Sequence, residues 1–66
     1  MRLEDKLRYA DALARQYRKV QALRDSVVVG PEWLRLHAAM SAIRNRVLSL
    51  AGRHDEVWWR FFSKID

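Results

Sequence analysis

The stretch from Trp33 to Leu50 limits what this chain can fold into. Leu36, Met40, Ile43, Val47 and Leu50 recur at alternating spacings of four and three, with Trp33 one step earlier, so they line one stripe of a helix. Such a stripe must be buried, and the rest of the sequence reads as its partners.

The first partner runs from Leu3 to about Ser26. It contains no Gly or Pro and is rich in Ala, Leu, Arg, Lys and Gln, a strong helix-forming composition. Leu3, Leu7, Ala10, Ala14 and Tyr17 repeat the spacing of the central stripe, with Leu13, Val20 and Val27 along its edge. Glu4 with Arg8, and Asp11 with Arg15, are pairs four apart with the acid on the N-terminal side, which supports a helix by about 0.2–0.5 kcal/mol each.

Val27-Val28-Val29 has no second β-rich run to pair with, so it frays the first helix into a turn at Gly30-Pro31. Pro31 fits the first position of a second helix, where its missing N–H costs nothing. With Gly30 as cap, Val29 and Leu34 occupy the positions of a hydrophobic staple. So short a connection makes the two helices antiparallel neighbours.

Gly52 admits two structures. A break or kink at 52–54, with Asp55 capping a short third helix, is the expected one. The alternative is one continuous helix from Pro31 to near Ser63, because the apolar register continues through His54, Val57 and Phe61 and an internal Gly costs only about 1 kcal/mol. The expected fold is all-α, a single domain over residues 1–66. It is an antiparallel hairpin of helices at about 2–27 and 31–51 with a third helix at about 55–64, forming a helical bundle as a dimer.

Size argues for that dimer. A 66-residue chain supplies a core worth only about 3–5 kcal/mol, and chains of this length usually add disulfides, a metal or a second subunit. Cysteine is absent, and His37 and His54 alone do not make a metal site, so no metal or cofactor is expected and a homo-oligomer is. The opening Met1-Arg2-Leu3-Glu4-Asp5 lacks the apolar run of a signal peptide, and no stretch approaches the roughly 20 apolar residues of a membrane span. A cytoplasmic location follows as an expectation.

Catalysis has little support. Ser41 and His37 are four apart but lack a carboxylate orienter, and the glycines form no phosphate loop, so the chain is not expected to be an enzyme. Two surfaces remain. In the tail, Trp58, Trp59, Phe61 and Phe62 are candidate anchors for a partner protein. Trp58 and Phe61 share a core-like face with Val57 and Ile65, whereas Trp59 points to the side. Membrane anchoring by this tail is disfavoured, because its polar side is short and includes Glu56 and Asp66.

The second surface is basic. Residues 1–28 hold seven Arg or Lys against four acids, residues 31–51 three against one, and the tail is balanced. Arg15, Arg18 and Lys19 form the compact acid-free cluster, with Arg35, Arg44 and Arg46 further on. The expected function is a small interaction module or regulator whose arginines steer a partner with an acidic or apolar surface. The alternative is a small DNA- or RNA-binding protein that contacts phosphates through its first two helices. A sequence reader of the helix-turn-helix type is disfavoured, since the third helix offers Trp and Phe in place of polar side chains.

Overall fold

The computed structural model describes residues 1–65. Three helices follow in order: α1 (Leu3–Ser26), α2 (Pro31–Ala51) and α3 (Asp55–Ile65). They form the antiparallel hairpin with a short third helix that the sequence predicts, with no strand among the described residues.

Local chemistry sets each boundary. Glu4 and Asp5 lie in the first turn of α1 and Arg24 in its last, the arrangement favoured by the helix dipole. The helix stops where the Ser26 hydroxyl donates to the Leu23 carbonyl at 2.7 Å and Val27 turns extended, with φ −110° and ψ 154°. Pro31 opens α2, and the Leu34 N–H donates to the Gly30 carbonyl at 3.0 Å. The expected staple does not bury its members: Val29 and Leu34 both remain exposed. Val29 lies in the turn between the helices, beyond the end of α1 at Ser26.

Gly52 ends α2 with φ 56° and ψ −111°, a conformation favouring glycine. The chain is tied through this turn by hydrogen bonds from His54 N–H to the Ala51 carbonyl at 2.8 Å and from Val57 N–H to the His54 carbonyl at 3.0 Å. Asp55 is therefore not the residue before α3 but its first residue, and His54 precedes it. Asp55 and Glu56 still place negative charge in the first turn.

The core lies where all three helices meet. Ala10, Leu13, Ala14, Val47, Ala51, Val57 and Phe61 form one buried cluster. Its alanines keep the backbones close, and Phe61 is the largest fully buried side chain. α3 packs mainly against α1 and less against α2. At about 1.5 Å per residue, α3 covers about 16 Å of the roughly 36 Å length of α1. Toward the α1–α2 turn the hairpin has no third layer, and Leu23, Val28, Val29 and Leu34 stay exposed there. That end is held by Trp33, half-buried, which stacks on His37 at 5.0 Å under the Arg24 guanidinium, 5.4 Å from the Trp33 ring.

Candidate interaction surface on the third helix

α3 carries Val57 and Phe61 one turn apart on its buried face, and the aromatic residues between them diverge with helical geometry. Phe61 meets Tyr17 edge-on at 5.4 Å, which fixes the helix against α1. Trp58 is half-buried, packs on the core and meets Phe62 edge-on at 4.4 Å. Phe62 is half-buried as well and lies 6.4 Å from Trp59 at a tilted angle. Trp59 is 68% exposed. The four aromatic candidates thus divide: Phe61 is core, Trp58 and Phe62 form a half-buried shelf, and Trp59 projects into solvent.

Trp59 borders a shallow groove of about 520 Å³ between α3 and α1, lined also by Leu7, Glu56, Arg60 and Ser63. Leu7 and Trp59 supply apolar walls, while Glu56 and Arg60 add one charge of each sign. Arg60 also reaches Asp11, with Nε 3.8 Å from Oδ1. That carboxylate oxygen is buried without a hydrogen-bond partner, so the long ion pair with Arg60 is its nearest compensation.

The basic candidates do not form one patch. Arg15 and Arg18 line a smaller cavity of about 220 Å³ with Asp11, Ala14 and Lys64, and an Arg18 N–H donates to the Lys64 carbonyl at 3.4 Å. These cations meet the C-terminal end of α3, where the helix dipole favours positive charge. Lys19, Arg35 and Arg44 are exposed and line neither cavity, and Arg46 lines a separate groove between α1 and α2. Reading the sequence missed Lys64 as the companion of Arg15 and Arg18. It also missed Leu7 as a groove wall, since its spacing marks it only as core.

His37, the one histidine at helical spacing from a serine, holds Arg24 Nη1 at 3.1 Å from its Nδ1; a guanidinium only donates, so Nδ1 accepts. No group of three or more His, Asp or Glu side chains that could hold a metal ion occurs among the described residues, and none of their helices is long and apolar enough to cross a membrane. Comparison with family models, curated proteins and solved structures finds no match to this chain.

Proposed function

We propose that the chain is a small protein-interaction module or regulator that works by surface occupation, with the outer face of α3 as its recognition surface. The observation that carries this reading is Trp59: a large aromatic residue, 68% exposed, beside an apolar-walled groove on a helix whose opposite face is anchored in the core. Trp is among the residues most enriched at the energetic centres of interfaces. The partner inserts an apolar side chain between Leu7 and Trp59. Acidic groups around that side chain meet Arg60 and, toward the end of α3, the Arg15–Arg18–Lys64 group, which raises the encounter rate more than the final affinity.

The test is capture by the tagged chain from a lysate of its own source, with and without nuclease. A protein retained at near-stoichiometric yield after nuclease is the expected result, and material that vanishes with nuclease contradicts it. Trp59→Ala is expected to leave stability within about 0.5 kcal/mol of wild type, since an exposed side chain is being trimmed, as a thermal melt followed by circular dichroism will show.

The nucleic-acid reading draws on one observation, the convergence of Arg15, Arg18 and Lys64 on a single cavity. It requires affinity for a nucleic acid that falls steeply with salt and drops further when Arg15, Arg18 and Lys19 are neutralised together. Asp11 inside that cavity counts against it.

A further inference from the structure

We infer that the cavity between α1 and the end of α3 binds a phosphate that carries a hydrogen-bond donor, either its own O–H or a neighbouring hydroxyl or ammonium. Three cations line it, Arg15 and Arg18 from α1 and Lys64 from α3, together with Asp11 and Ala14. Its volume of about 220 Å³ is that of several water molecules at about 30 Å³ each, room for a phosphate and a short ester group.

The cations converge while most of their donors stay unused. The negative end of the α3 dipole accounts for one contact, the Arg18 N–H on the Lys64 carbonyl at 3.4 Å. Among the described residues, Arg15 and the Lys64 ammonium make no hydrogen bond. Neither ion pair there, Arg24–Asp25 or Arg60–Asp11, involves Arg15, Arg18 or Lys64. Asp11 stands one helical turn before Arg15, yet its carboxylate turns to Arg60 instead. A guanidinium has five N–H donors and an ammonium three. An oxyanion is the group that such side chains hold in common, and arginine can grip two of its oxygens at once.

Asp11 decides which anion enters. Its Oδ1 is buried, so the second oxygen is the one the cavity can use, and a carboxylate only accepts. It repels an anion whose oxygens also only accept, such as sulfate or the phosphodiester of a nucleic-acid backbone. From a phosphate bearing a donor it takes a hydrogen bond, so the wrong anions are rejected by repulsion and the right one is held. The lining shares no residue with the Trp59 groove, and the site therefore stands whether or not Trp59 meets a partner.

The test is a titration of the whole chain followed by amide chemical shifts. At about pH 8 and fixed ionic strength, hydrogen phosphate and sulfate are dianions of the same shape that differ by one O–H. Asp66 is kept in the chain, so the carboxylates that follow Lys64 in the sequence compete in every arm alike. Inorganic phosphate and phosphoethanolamine should shift the Ala14, Arg15, Arg18 and Lys64 amides saturably at millimolar concentration, and sulfate should need about tenfold more. The tighter of the two phosphates tells whether the group arrives free or esterified. Arg15→Gln combined with Arg18→Gln, both at exposed positions, should abolish the saturable shifts with the melting temperature unchanged. Asp11→Asn should bring phosphate and sulfate within about twofold of each other, because an amide donates as well as accepts. If Asp11→Asn does not fold, the wild-type comparison and the double arginine variant still decide. The inference is overturned by the absence of saturable shifts, by phosphate and sulfate acting alike on the wild type, or by shifts that survive the double variant. The last two results would make the response that of an adventitious ion only.

Discussion

Phe61→Ala is expected to unfold the chain at room temperature. Phe61 is fully buried, edge-on to Tyr17 at 5.4 Å and stacked on Trp58 at 6.1 Å, so its ring is the bolt between α3 and α1. Truncating a buried Phe to Ala costs about 3–5 kcal/mol, and a domain of this size has about 3–5 kcal/mol to lose. The loss therefore matches the whole stability of the fold. Circular dichroism should show a collapse of helicity and no cooperative melt. A variant that melts cooperatively within a few degrees of wild type would contradict the packing described above.

Gly52→Ala is the second large effect, and it acts through the backbone. A Cβ at residue 52 would meet nothing closer than the Lys6 Nζ, at 3.9 Å, so crowding contributes nothing. The cost comes from φ 56° with ψ −111°, a region L-residues avoid, at about 1–3 kcal/mol. For a domain of this size that corresponds to a fall of about 5–20 °C in melting temperature. The same change favours the competing structure. The apolar register runs on through Leu50, His54, Val57 and Phe61, and alanine is about 1 kcal/mol better than glycine inside a helix. A continuous α2–α3 helix thus gains while the turn loses, and the extra helical residues should raise far-UV ellipticity at low temperature. A Gly52→Ala protein with wild-type melting would mean that the turn does not need its glycine.

That competition shows where the sequence stops being legible. The turn of the hairpin is readable because the valine run weakens the helix before it, Gly30 interrupts it, and Pro31 suits the first position of the next one. At Gly52 local signals conflict, and the outcome depends on whether Phe61 and Val57 bury more surface folded back on α1 than extended, a tertiary quantity. Leu13 illustrates a second limit. Spacing places it at the edge of the α1 stripe, yet it is buried, because α1 has two partners on different sides and its buried face is wider than one stripe. Asp55 has the right chemistry for a cap and lies one residue inside the helix, an offset that spacing cannot resolve.

The candidate site was readable only in part for the same reason. Helical direction separates Trp59 from Val57 and Phe61, so its exposure can be anticipated from α3 alone. The groove beside it cannot, because Leu7 arrives from the far end of the chain. Lys64 likewise joins Arg18 across 46 positions of sequence. The face bearing Ala38, Ala42, Asn45 and Ser49 is visible as small and compact in the sequence. That it opens beside Tyr9 and away from α3 is known only once α3 has been placed.

The central claim is a division of labour on α3, with Phe61 holding the fold and Trp59 left free for a partner. Its most direct test is a titration of the captured partner with wild type and with Trp59→Ala, each checked for melting temperature and subunit mass. The account predicts that affinity falls by roughly 30-fold or more, the loss of about 2 kcal/mol expected at an interface centre, while melting and mass stay unchanged. Unaltered affinity would remove Trp59 from the interface. A loss of affinity accompanied by unfolding or by a change in subunit mass would make Trp59 part of the architecture and contradict the division.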